Sequence, residues 1–152
     1  MKNFKKYIEI SKALVPNPDT FKTFHTTFIV RKGRIQKIGI NQSRTHPRNL
    51  DYNYVGKDGT DIRTMVGTHS ELSAILKYGK EDCSDCVFIN VRIDKNSNPT
   101  MAMPCIGCQD ILKQVNYKRV YYTDENGQFR EWSHSAQTYT KPTRVSGDRQ
   151  KP

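Results

Sequence analysis

The chain has 152 residues, of which 35% are hydrophobic and 26% charged, and a formal net charge of +10. That length suits one domain able to bury a core without disulfide help, and no apolar run reaches membrane-spanning length. The charge is uneven: residues 1–50 carry 11 Lys/Arg against 2 Asp/Glu, residues 51–100 carry 6 against 8, and residues 101–152 carry 8 against 5. The first third reads either as a surface for phosphates or as solvated charge that keeps a small protein soluble.

The opening "MKNFKKYIEI" lacks the apolar stretch and small-residue cleavage site of a secretory signal. The expected setting is therefore cytoplasmic and reducing, where four cysteines are thiolates or metal ligands rather than disulfides. Residues 3–14 place Phe4, Tyr7, Ile8 and Ser11 at helical spacing, and the two prolines of "VPNPDT" end that helix. "TTFIVRKGRIQKIGIN" has apolar runs on either side of Arg31, Lys32 and Gly33, the pattern of a β-hairpin with glycine in its turn. From Gln42 to Thr68 the chain is polar and turn-rich, a long connection of the kind that carries function or disorder.

Leu72, Ile75 and Leu76 mark one face of a short helix with Gly79 as its stop. "VFINVRI" (87–93) reads as a buried strand, "CQDILKQV" as a helix and "RVYYT" (119–123) as a strand. Strands alternating with helices imply crossover connections and an α/β fold with a partly parallel sheet. "DENG" is turn chemistry, so "QFREW" is expected to double back as an antiparallel last strand. Residues 1–140 are expected to form the single domain, and the proline-containing basic tail 141–152 to be disordered.

Two short stretches carry chemistry. In "GTHSELSAIL" a histidine stands two positions before a glutamate at the mouth of a helix. Two residues apart inside a helix, side chains point about 200° from each other, so His69 and Glu71 can address one object only if it lies off the helix end. In "MPCIGC", Pro104 fixes the entry backbone, and Cys105 and Cys108 place two sulfurs on one side of a helix start, where thiolates are stabilised. His69, Cys105 and Cys108 are the nitrogen and sulfur donors that zinc prefers, and three protein ligands leave the fourth tetrahedral position open. A carboxylate at Glu71 beside that position suits proton transfer.

His-x-Glu followed by Pro-Cys-x-x-Cys resembles the signature of the cytidine/deoxycytidylate zinc-dependent deaminase superfamily, over roughly residues 26–132. The resemblance implies a three-layer α/β/α sandwich around a five-stranded mixed sheet, with one Zn2+ per chain held by His69, Cys105 and Cys108. It implies hydrolytic deamination of cytosine at C4 with Glu71 as proton shuttle. It also implies substrate contacts at Asn41, which stands where the family has a sugar-binding asparagine, and at the main chain of Ser70 and Cys105. Arg44 and His46 in "SRTHP" are placed to meet a 5′-phosphate, though a solvated loop is equally consistent. The implied partner is a pyrimidine nucleoside or nucleotide, with cytosine or adenine in a single-stranded nucleic acid as the alternative; no membrane partner is expected, and family members are often homo-oligomers.

The chain departs from the pattern. Ser70 replaces the usual alanine, as in the deaminase domains of plant organellar RNA-editing proteins; the antiparallel ending is that of free-nucleoside deaminases, which normally carry cysteine where this chain has His69.

Two other readings compete. Cys83-x-x-Cys86 and Cys105-x-x-Cys108 have the spacing of a structural zinc ribbon. Phe24, Phe28, Tyr52, Tyr54, Tyr121 and Tyr122, with the basic first third, fit a nucleic-acid-binding module without catalysis. His25, His46 and His134 lack partners at metal spacing and read as surface or hydrogen-bonded histidines.

Overall fold

A computed structural model of the chain describes residues 4–15, 23–41, 69–80 and 82–133. The long connection 42–68, with Arg44, His46, Tyr52 and Tyr54, lies outside the described residues, as do His134 and the tail from residue 141. The elements are α1 (Lys5–Leu14), β1 (Thr23–Arg31), β2 (Arg34–Ile40), α2 (Ser70–Tyr78), β3 (Val87–Asp94), β4 (Pro99–Thr100), α3 (Ile106–Val115), β5 (Arg119–Thr123) and β6 (Phe129–Trp132).

The sheet runs β2-β1-β3-β5-β6, and β4 pairs with β3 beside that path. β1 is antiparallel to both neighbours, β3 and β5 are parallel, and β6 returns antiparallel along β5. This is the expected mixed sheet of five strands with a two-residue sixth added. The β1–β2 turn places Lys32 and Gly33 at φ 52° and 76°. Two positive φ values make the mirror-image turn that matches the twist of a hairpin.

Successive strand residues face opposite sides, and each side has its own apolar layer. Phe28, Val30, Ile89, Val91 and Ile93 pack under α1 through Tyr7. Phe4 stacks on Phe129 with ring centroids 4.6 Å apart and tilts against Tyr121 at 5.0 Å. On the other side Ile29, Phe88, Val120 and Trp132 meet Leu72 and Ile75 of α2 and Ile111 and Leu112 of α3. One helix on one face and two on the other make the expected three layers.

Gly39 of β2 lets α2 lie directly on the sheet. A Cβ there would meet the Ser70 carbonyl and the Ala74 amide, and come within 2.8 Å of the Ala74 Cα, so any side chain would lift the helix. Gly79 ends α2 at φ 75°, its N–H bonded to the Ile75 carbonyl, which is the stop the sequence announces. The polar "DKNSNPT" was not legible as structure. Asp94 Oδ1 accepts the Asn96 and Asn98 amides at 2.9 Å each, turning the chain into β4.

Candidate metal centre

The starts of α2 and α3 meet over one face of the sheet. His69 and Cys105 are the N-cap residues, both with extended backbone and neither with its side chain capping its own helix. Each side chain is therefore free to leave the helix axis and turn toward the other. His69 Nδ1 lies 3.5 Å from Cys105 Sγ and 3.4 Å from Cys108 Sγ. The three ligand atoms all fall within 4.8 Å of one another. A nitrogen and a sulfur bound to one tetrahedral zinc at usual bond lengths stand roughly 3.6 Å apart, so both nitrogen–sulfur separations suit that ion.

The three side chains are strongly coupled in charge. A hydrogen bond from the Cys108 thiol, with the adjacent His69 cation, holds Cys105 well below the ordinary thiol range. The Cys105 charge in turn raises His69 to about 9. Cys108, the donor in that bond and buried, is pushed up.

Glu71, one helical residue further on, is 6% exposed. Burial raises its pKa, and the Cys105 charge adds to the effect. Asn90 Nδ2 donates to Glu71 Oε2 at 2.9 Å. Thr27 Oγ1 donates to Asn90 Oδ1 at 2.8 Å, and it also lies 2.8 Å from Ser70 Oγ, which reaches Glu71 Oε1 at 3.3 Å. These four buried side chains close a ring. Thr27 has given its hydrogen to Asn90, so the single Ser70 hydrogen is divided between Thr27 and Glu71. A proton on Glu71 relieves that shortage, in the same direction as burial. Ser70 thus bonds the carboxyl it precedes.

Asn41 stands at the end of β2, locked to β1: its Oδ1 accepts the His25 amide at 2.9 Å, and its own amide donates to the His25 carbonyl at 3.2 Å. The His25 imidazole is lowered to about 4, by burial first and then by Arg92 and His69, so it is neutral at neutral pH. Asn90 and Thr27 are site residues the sequence reading passed over.

The zinc-ribbon reading does not hold. The metal-capable group found among the described residues contains neither Cys83 nor Cys86. Both are fully buried in the apolar layer beneath α2 and α3. Burial pushes the Cys83 thiol up to about 12, which makes it a poor ligand. Phe24 and Phe28 are 1% and 0% exposed, so neither offers a base-stacking surface. Tyr121 and Tyr122 are half-buried, each packed against one of the two apolar layers.

No family model matches the chain, and no curated protein matches it significantly. Solved structures do resemble it. The dCMP deaminase of the cyanophage S-TIM5 in apo form aligns with a TM-score of 0.46 and 21% identity, covering 79% of each chain. The same enzyme in complex with dCMP and dUMP aligns at 0.45 and 18%, over 80% of each chain. The cytidine deaminase of Mycobacterium leprae aligns at 0.43 and 17%, over 83% of this chain and 87% of its own.

Proposed function

We propose that this chain is a zinc-dependent hydrolase that removes the exocyclic amino group of cytosine in a free cytidine or deoxycytidine nucleoside or nucleotide. The observation that carries the reading is a buried carboxyl, Glu71, beside a nitrogen and two sulfurs that converge on one point. His69, Cys105 and Cys108 would hold the ion, which when bound supplies a polarised water of lowered pKa.

The chain's own groups account for the remaining steps. Glu71 takes a proton from water as its oxygen bonds to C4, and delivers it to N3. It then moves a proton from the new C4 hydroxyl to the amino nitrogen, the C4–N bond breaks, and uracil and ammonia leave. A carboxyl whose pKa is raised by burial accepts a proton more readily than an exposed one and can still return it. Asn90 and Ser70 hold its two oxygens, so the transfers occur from a fixed position. Asn41, fixed by the His25 main chain, is available to the sugar.

A small substrate is favoured over a polynucleotide by where several of the described basic residues of the first third lie. Lys5, Lys6 and Lys12 sit on α1, across the sheet from the site, and Lys32 and Arg34 sit at the hairpin turn, the far end of β1 from His25. The test is to offer the zinc-loaded protein cytidine, deoxycytidine, CMP, dCMP, single-stranded DNA and single-stranded RNA, and follow loss of the amino group by mass. Conversion of a free nucleoside or nucleotide is the expected result. Conversion only of strands, falling steeply with salt, would move the reading to a polynucleotide deaminase. No conversion of any would overturn it.

A further inference from the structure

Beyond the metal centre the sheet carries one more polar row, and α2 and α3 both run away from it. Thr27 and Asn90 are cross-strand neighbours of β1 and β3, and Ser70 at the start of α2 sits on that row. From there α2 runs toward Arg31, which its Tyr78 reaches by a hydrogen bond. α3 likewise runs from Cys105 toward the start of β3, where its last carbonyl, that of Val115, accepts the Cys83 amide. Both helices therefore extend away from the next row, where His25 and Arg92 are paired across β1 and β3 and Asn41 adjoins His25 from β2. By strand alternation His25 and Arg92 face the same side as Thr27 and Asn90.

Arg92 on this row is under-used. Its Nη1 donates to the Met101 carbonyl at a long 3.5 Å. Its Nε is buried with no partner among the described residues, and no ion pair of Arg92 occurs among them. Burial lowers its pKa more than Asp94 raises it. A buried guanidinium N–H without an acceptor is costly, and the planar fork of Arg92 suits a phosphate oxygen pair. His25 is neutral and Asn41 uncharged, so neither supplies the missing negative charge.

Resting on the deaminase reading, we infer that Arg92 receives the 5′-phosphate of the substrate, and that the enzyme acts on a cytidylate in preference to the nucleoside. Asn41 for the sugar and Arg92 for the phosphate then lie on one row, on either side of His25, beyond a ring seated at the metal.

The test compares dCMP with deoxycytidine, and CMP with cytidine, for the wild-type protein, Arg92→Gln and Arg92→Lys, with a short single-stranded oligonucleotide as a further substrate. Arg92→Gln is expected to lower kcat/KM for the monophosphates about 10- to 100-fold, chiefly through KM, and to leave the nucleosides within about twofold. Arg92→Lys should recover part of the loss. Equal losses on nucleotide and nucleoside, or no loss, would overturn the assignment; a loss confined to the oligonucleotide would overturn the preference for a free nucleotide. Binding separates this inference from the deaminase reading and does not depend on a variant folding. Zinc-loaded wild-type protein should bind dUMP at least about tenfold more tightly than deoxyuridine by calorimetry, even if no cytosine compound is converted, and equal affinities would sink the role of Arg92.

Discussion

Asn90 of β3 donates its amide to Glu71 of α2 at 2.9 Å, across 19 residues of sequence and inside the protein. The same Asn90 amide reaches the Ala102 carbonyl at 3.4 Å, and its oxygen accepts from Thr27. Replacing it by alanine leaves both Thr27 and Glu71 short of a partner. Asn90→Ala is expected to lower stability by about 1–3 kcal/mol in chemical denaturation and to reduce kcat about 10-fold or more, with zinc content unchanged. A variant that turns over normally would show that Glu71 needs no such support.

Glu71→Gln keeps the shape of the side chain and its bonds to the ring while removing the titrating group. Folding, by thermal denaturation, and zinc content should both stay near wild type. Deamination should fall by about 10²- to 10⁴-fold, the usual worth of a positioned acid–base group.

The elements around these residues were legible because local signals agreed with one another: the turn glycine Gly33, the stop at Gly79, and the Pro104 entry to α3 each sit where the chain turns. The convergence of His69, Cys105 and Cys108 was legible because both stretches stand at helix starts, where side chains can meet beyond the helix ends. Asn90, Thr27 and Arg92 were not picked out, because a strand reading of "VFINVRI" attends to its β-branched residues. The signal was nonetheless present: Asn90 and Arg92 are two apart, so both polar side chains fall on one face of an otherwise apolar strand. That marks where the face passes from core to site. β4 is two residues long and held by Asp94 side-chain bonds, below the length at which hydrophobic periodicity speaks. The partner of Glu71 could not be read at all, since the ring depends on how β1 and β3 are paired.

Metal uptake should release protons. Without zinc the Cys105 charge raises His69 to about 9, while Cys105 is held well below the ordinary thiol range and Cys108 well above it. A zinc ion needs neutral imidazole and two thiolates, so binding near pH 7.5 should displace about two protons from these side chains. Affinity should then weaken as pH falls, because protons compete with the ion, and strengthen toward pH 9, where His69 gives up its proton. Calorimetry in buffers of different ionisation enthalpy measures the count. Zinc binding with no proton release would contradict this charge assignment.

Acid sensitivity should localise in part to the β5–β6 turn. Asp124 Oδ1 accepts the Asn126 and Gln128 amides at 2.8 and 2.9 Å, and Oδ2 accepts from Arg130 Nε at 2.7 Å. The Arg130 bond, joined by those two amides, lowers the Asp124 pKa below its ordinary 3.8. A carboxylate lowered in the folded state contributes stability above the unfolded value and loses it as pH falls through the folded one. Wild-type stability should therefore drop on acidification below about pH 4, with a smaller drop in Asp124→Asn. Parallel denaturation midpoints for the two proteins over that range would show that the turn contributes nothing.

The most direct measurement of the central claim is the coordination shell of zinc in the purified protein, read by X-ray absorption and repeated on two variants. The expected shell holds two sulfurs at about 2.3 Å and two lighter atoms near 2.0–2.1 Å, one of them the His69 nitrogen. Zinc should be lost in His69→Ala and retained when Cys83 and Cys86 are both replaced by serine. A shell of four sulfurs, or zinc retained without His69, would contradict the site and the chemistry built on it.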